Sequence, residues 1–162
     1  MSDLLRNGRL ASVKKDITRF TSSIKNDFEI FKPVIKINQA HIIMLIEQKI
    51  ITPNYGVLIL KALNKIEKKR MGTAFEDVHM YVEEEVINET GLIIGGNLHI
   101  AKSRNDQVST AIRMTLREKI IVLMNSIVKV QKSLIDLAED HIETLFPGYT
   151  HLQPAQPVPG FF

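Results

Sequence analysis

Residues 105–146 read NDQVSTAIRMTLREKIIVLMNSIVKVQKSLIDLAEDHIETLF, and this stretch decides the fold class. Leu116, Ile120, Leu123, Ile127, Val130, Leu134 and Leu137 alternate spacings of four and three, the seam of a coiled-coil-like helix. Glu118, Asn125, Lys129, Lys132, Asp136, Glu139 and Glu143 track the opposite side. The spacing predicts a helix from about Asn105 to Phe146, roughly 60 Å long at about 1.5 Å per residue. Ile121, Val122, Met124, Val128 and Ile135 flank the seam, so the apolar surface is wider than one partner helix covers. Such a helix belongs inside a bundle. Its neighbours are expected from further chain, from another chain, or from copies of itself. Pro147-Gly148 ends it, and Pro154, Pro157 and Pro159 keep the following residues out of regular helix.

Upstream, the 162-residue chain also reads as helix. Val34, Ile37, Ala40, Met44 and Leu45 suggest a stripe on a helix over 34–50. Thr52-Pro53 restarts the chain, threonine as N-cap and proline at the first helical position. Val57, Leu58, Leu63 and Ile66 carry this second helix to the basic run at Lys68, making a helical hairpin with the first. A third helix is expected from about Phe75 to Thr90, with Phe75, Val78, Val82 and Val86 on its buried face. Gly91 ends it. Residues 91–102 then form a glycine-containing connector in which Ile93, Ile94 and Ile100 permit a short extended piece. The expected domains are 1–102, a small helical domain, and 103–162, the start of a helical bundle.

Composition narrows the function classes. With 44% hydrophobic and 24% charged residues the chain is globular in character. The absence of cysteine excludes disulfides, thiolate nucleophiles and cysteine zinc sites. The first residues lack a signal-peptide layout, and no apolar run is long enough for a membrane helix, so the expected compartment is the cytoplasm. The net charge of +3 is uneven: residues 1–80 carry 14 Lys/Arg against 8 Asp/Glu, and residues 81–162 carry 7 against 10. Aromatics make up 6% and do not interleave with the basic residues, which argues against a base-stacking nucleic-acid surface. A small anionic substrate suits the mild basicity.

Three segments can carry chemistry. Ser103-Arg104-Asn105-Asp106-Gln107 opens the long helix, where unpaired N–H groups and a partial positive charge favour a carboxylate. The plainer reading is that Ser103 or Asn105 caps the helix and Arg104 pairs with Asp106. Gly148-Tyr149-Thr150-His151-Leu152-Gln153 follows the far end of that helix, and His151 brings to it an imidazole, a side chain suited to proton transfer; an ordinary surface histidine is the alternative. The two segments are separated by more than a substrate's length, so acting together requires different subunits or a chain that folds back. Glu76-Asp77-Val78-His79 lies on the third helix, where His79 leans toward the apolar face. There it is either an active-site group or a buried histidine bonded to Glu76 or a backbone carbonyl. No His-x-x-x-His or Glu-x-x-His pair has a third ligand nearby, so no metal site is expected. Gly91–Gly96 lacks the spacing of a phosphate loop.

Taken in order, three runs resemble the argininosuccinate lyase family. They are Glu76-Asp77-Val78-His79, Leu98-His99-Ile100-Ala101-Lys102-Ser103-Arg104-Asn105-Asp106-Gln107-Val108, and Pro147-Gly148-Tyr149-Thr150-His151-Leu152-Gln153-Pro154-Ala155-Gln156-Pro157. The Ser-Arg-Asn-Asp-Gln run separates this family from fumarase, aspartase and adenylosuccinate lyase. The resemblance implies the all-α fumarase/aspartase fold, with a small N-terminal helical domain ahead of the first long helix of a central bundle. It implies a homotetramer whose active sites are each built from three subunits. It also implies β-elimination of argininosuccinate to arginine and fumarate, in arginine biosynthesis and without a cofactor or metal. By motif, Ser103, Arg104 and Asn105 resemble substrate-carboxylate binders. Thr150 and Asn38 fall at substrate-contact positions, His151 resembles the proton-transfer histidine, and His79 a further active-site histidine.

Two departures stand out. Ile100-Ala101-Lys102 replaces the common Thr-Gly-Arg, and lysine keeps the charge but not the bidentate fork. After Pro157 the usual continuation gives way to Val158-Pro159-Gly160-Phe161-Phe162, and the family's catalytic-serine loop lies outside these residues. The chain is therefore expected to be an incomplete lyase, inactive alone and in need of a complementing C-terminal portion. The competing expectation is a non-catalytic scaffold or interaction protein, as crystallin-type relatives of the family are structural.

Overall fold

A computed structural model describes residues 20–157. Five α-helices occur among them: α1 Phe31–Glu47, α2 Pro53–Glu67, α3 Val78–Thr90, α4 Leu92–Gly95 and α5 Arg104–Asp140. Helix, α and 3-10 together, accounts for 69% of the described residues, as the all-α class requires. The signals in Val158–Phe162 and in the first 19 residues lie outside the described residues.

Local chemistry sets the helix ends. Thr52 Oγ1 accepts from Tyr55 N at 3.4 Å, with Pro53 at the first position of α2. Asp77 caps α3, its Oδ1 accepting from Met80 N at 2.8 Å, so α3 starts at Val78 rather than at the expected Phe75. Gly91 ends α3 at φ +83, a left-handed conformation that costs glycine little. Beyond it the connector is not extended. Leu92–Gly95 forms α4 and Gly96–His99 a 3-10 turn. The isoleucines there suggested a strand, but local i→i+3 and i→i+4 hydrogen bonds satisfy the backbone without a partner strand.

The chain divides into two compact units, one ending at Leu116 and one beginning at Arg117. The first buries a core of Val34, Ile35, Ile42 and Leu45 from α1, Ile59, Leu63 and Ile66 from α2, and Val78, Val82 and Val86 from α3, closed by Leu98 and Ala111. The predicted stripes on α1 and α2 hold in part: Val34, Leu45, Leu63 and Ile66 are buried and Ile37 is partly buried. Ala40 and Met44 are exposed, as are Val57 and Leu58. The buried face of α1 instead runs Phe31, Val34, Ile35, Asn38, Ile42 and Leu45. Its periodicity is regular, but the buried Asn38 interrupts it as an apolar pattern. On α2, Gly56 gives the close approach: a Cβ there would lie 2.2 Å from Ile46 Cδ1.

Polar stitches tie the first unit together. Asp27 is buried, and its Oδ2 accepts from Ser23 Oγ and from Val78 N, both at 2.9 Å. His79 on α3 is 3% exposed, and its Nδ1 lies 2.9 Å from the Oε1 of the buried Gln107 on α5. The amide carbonyl accepts, so the ring proton sits on Nδ1 and Nε2 is the bare nitrogen.

The second unit contains the remainder of α5 and an antiparallel hairpin, β1 Pro147–Thr150 and β2 Gln153–Pro157, with a register shift between Pro147 and Tyr149. Helix α5 ends at Asp140, before the expected Phe146. His141 N and Thr144 N instead make three-residue turns to Ala138 and His141 carbonyls. The hairpin turn places His151 at φ +49 and Leu152 at φ +67, both in the left-handed region and neither a glycine. Within this unit the whole seam is open, with Leu123 60% and Leu134 51% exposed.

Two stability outcomes follow. Gly91→Ala meets no atom within 4 Å, so its cost is conformational alone. It should lower unfolding free energy by about 1 kcal/mol in urea titrations. His79 is held below its ordinary pKa of 6.5 first by burial and then by Arg104, against the opposing charge of Asp77. The unfolded chain therefore takes up a proton that the folded chain resists. Stability should be complete above pH 6.5 and fall as pH drops below it toward the folded pKa, by at most about 1.4 kcal/mol per unit for one proton. His41, also lowered by burial, adds to the same slope. His79→Asn should make the measured dependence shallower whatever its effect on stability at neutral pH.

Candidate active-site loop

Residues 100–103 lead into α5, and their conformation is strained at one point. Ala101 sits at φ +56, left-handed for a residue with a Cβ, at a cost of roughly 1–2 kcal/mol. Three side-chain contacts brace this turn from three directions. His41 on α1 donates from Nε2 to Ile100 O at 2.8 Å. Lys102 Nζ donates to Asn38 Oδ1, while Asn38 Nδ2 donates to Val34 O at 2.9 Å. Arg104 grips Asp77 with NH1, at 2.8 Å to Oδ1 and 2.6 Å to Oδ2. At roughly 1 kcal/mol per neutral hydrogen bond and more for the charged ones, the braces outweigh the strain.

The bracing sorts the candidate residues. Asn38 and His79 are buried, 3% exposed each, and both are committed to hydrogen bonds. Arg104 is partly buried and pairs with Asp77 and, through NH2 at 3.5 Å, with Glu83. It does not make the pair with Asp106 that its sequence neighbourhood suggested. The cause is geometric: Asp77 and Glu83 present two carboxylates from α3. Ser103 and Asn105, on either side of Arg104, are exposed. A hollow of about 420 Å³ opens beside Asn105, lined by Val108, Ser109, Ile112 and Arg113.

The electrostatics follow from burial. Lys102 is drawn down to about 8, chiefly by loss of water and further by Arg104, while Glu83 holds it up. His79 keeps a bare, buried Nε2, and neither that atom nor Gln107 Nε2 has a hydrogen-bond partner among the described residues. Thr150 and His151 belong to the second unit, at the hairpin end, where both are exposed. The loop thus exposes the Ser103 hydroxyl and the Asn105 amide on either side of an Arg104 paired with Asp77 and Glu83. The hairpin exposes the His151 imidazole.

Sequence reading missed Glu83, His41, His99 and Gln107 as members of this network. Asn38 and His41 stand three apart on one helix face, a usable signal. Glu83 stands in the run Glu83-Glu84-Glu85, which reads as a solvated face. All three are partly buried, and nothing in the spacing marks the first as the one that meets His99 and Arg104.

A family model described as lyase matches residues 11–159. Among curated proteins, the argininosuccinate lyase of Methanocaldococcus jannaschii is 43% identical, covering 96% of this chain and 34% of the relative. That of Methanosarcina mazei is 44% identical, covering 97% of this chain and 33% of the relative. That of Methanococcus vannielii is 40% identical, with 96% and 34% covered. The chain spans about a third of the length of the curated relatives it matches. With the match running through α1 to α5, the braced loop and the hairpin, the chain belongs to the lyase family.

Proposed function

We propose that this chain supplies the N-terminal part of an argininosuccinate lyase, the enzyme that eliminates fumarate from argininosuccinate to release arginine in arginine biosynthesis. The observation that carries the reading is the braced loop: Ser103 and Asn105 stand exposed on either side of an Arg104 locked to Asp77. The names of the relatives, at 40% identity and above across nearly the whole chain, support it. In this reading Ser103, Asn105 and Arg104 hold a substrate carboxylate at the start of α5. The buried Asn38 contacts substrate through the loop it braces. Thr150 adds a contact from the hairpin. His151 handles the proton transfer, and His79 tunes the loop through Gln107.

The chemistry is a β-elimination. A base removes the proton on the carbon beside one carboxylate, and the electron pair moves first onto that carboxylate as an aci-carboxylate. It then forms the C=C bond as the C–N bond breaks, and the departing guanidino nitrogen takes a proton. No cofactor is needed for this balance. One helix of 37 residues lies between the loop and the hairpin in sequence. A complete site is accordingly assembled from several copies in a homotetramer, with the C-terminal portion of the enzyme completing the bundle. Neither nucleic acid nor membrane enters this reading, and no helix among the described residues is long and apolar enough to cross a membrane. The cytoplasm is the compartment proposed.

A second reading has its own observation. The open seam, with Leu116 53%, Val130 59% and Leu137 52% exposed, suits a non-catalytic scaffold that binds partners through α5.

Two measurements decide. Alone, the 162-residue chain should release no measurable fumarate, since the serine that resembles the second proton-transfer group lies outside these residues. With the C-terminal two-thirds of the M. jannaschii relative supplied in trans, fumarate should appear by absorbance. His151→Asn should lower that rate by roughly 10²–10⁴-fold, the usual worth of a proton-transfer group. Robust turnover by the chain alone would overturn the assignment of roles. Absence of turnover in the pair would favour the scaffold. Independently, sedimentation velocity at micromolar concentration should show association, because burying the seam gains about 25 cal/mol per Å². Leu123→Lys with Ile127→Lys should return the chain to monomer.

A further inference from the structure

We propose that Glu83 is a positioning residue of this enzyme, one carboxylate that clamps both ends of the strained loop 100–103 and so sets the placement of Ser103, Arg104 and Asn105. The proposal rests on the lyase reading and deepens it.

The geometry is specific. Glu83 Oε1 accepts from His99 Nδ1 at 2.9 Å, immediately before the loop. The same oxygen lies 3.5 Å from Arg104 NH2, immediately after it. Its side chain is 16% exposed, so these partners replace much of its water. Between the clamped ends, Ala101 takes its left-handed φ of +56 and Ser103 is presented outward. A loop closed at both ends on one atom has few alternative conformations, which is how a short connector holds a strained turn.

The charges around Glu83 give it a second task. His99, Lys102 and Arg104 converge from the connector and α5, and His41 approaches from α1, where both His99 and Lys102 disfavour its protonation. Against the Lys102 and Arg104 charges stand the carboxylates of Glu83 on α3 and Asp77 at its cap. Asp77 is taken up by Arg104 and by the α3 cap. The Glu83 charge opposes the loss of the Lys102 proton that burial favours. Without its charge, Lys102 sheds its proton more readily, and the loop loses the clamp at His99 and the longer of the two ion pairs at Arg104.

The test uses Glu83→Gln and Glu83→Asp with two readouts. In the 162-residue chain alone, acylation of the Lys102 amine near pH 7 is followed by mass spectrometry. E83Q should raise its rate about threefold, as expected when a lysine near its midpoint loses part of a unit of pKa. In the chain combined with the C-terminal two-thirds of the M. jannaschii relative, E83Q should raise KM for argininosuccinate about tenfold with a smaller fall in kcat. E83D, which keeps the charge but retracts it, should lie between wild type and E83Q in both. A merely structural role would reduce the folded fraction and leave Lys102 reactivity and KM unchanged, and that result overturns the proposal. Should E83Q not fold, E83D decides: values identical to wild type overturn it. Wild-type pairs without turnover reject the lyase reading alone, and Lys102 acylation then decides for Glu83.

Discussion

Asp77 performs two tasks with one carboxylate, and the N-terminal unit depends on both. Its Oδ1 caps the first turn of α3, and both oxygens receive Arg104 from the first turn of α5. A cap holds an unpaired N–H at a helix start, and the pair holds a cation that would otherwise sit near the positive end of α5. Because the same atoms do both, the start of α3 and the start of α5 are fixed relative to each other. The loop between His99 and Arg104 is then short enough to need a left-handed alanine. Moving either helix would break a cap and a charged pair together, which makes this joint stiffer than its exposure suggests.

Around that joint the unit spends its polar groups internally. Asp27 reaches the first N–H of α3, Asn38 links α1 to Lys102, and His79 meets Gln107. Each of these side chains has at least one partner, which offsets the cost of burying it, while His79 Nε2 and Gln107 Nε2 have none among the described residues. These links place α1, α3 and the start of α5 around the loop, while the aliphatic core of Val34, Ile42, Leu63, Val82 and their neighbours supplies most of the driving force. Further along, α5 reverses this economy. Its apolar side chains from Arg117 onward face outward around the helix, and a helix with that surface gains stability only by burying it against others.

Much of the architecture could be read from residues 31–146 alone. Thr52-Pro53 and Gly91 mark helix ends by capping chemistry that acts within four residues, and both ends fall where that chemistry puts them. The four-three spacing from Leu116 to Leu137 predicts one long helix, and α5 covers it without a break. The exposed members of the predicted stripes on α1 and α2 have a different origin. Ala40, Met44, Val57 and Leu58 are apolar enough to pass for core, yet which face is buried depends on where the other helices lie. The connector went the same way, since β-branched residues favour strand only where a partner strand exists.

What the sequence by itself determined is the set of local events: caps, breaks, the all-helical periodicity and the motifs by which the chain joins its family. These depend on interactions between residues a few positions apart, so they survive without knowledge of the fold. Only the tertiary structure decided that Arg104 answers Asp77 rather than Asp106, that Lys102 meets Asn38, and that Glu83 closes the loop. Those choices belong to charges far apart in the chain. Packing α3 against the connector brings them within bonding distance, and burial there strengthens each pair by excluding the water that would otherwise screen it.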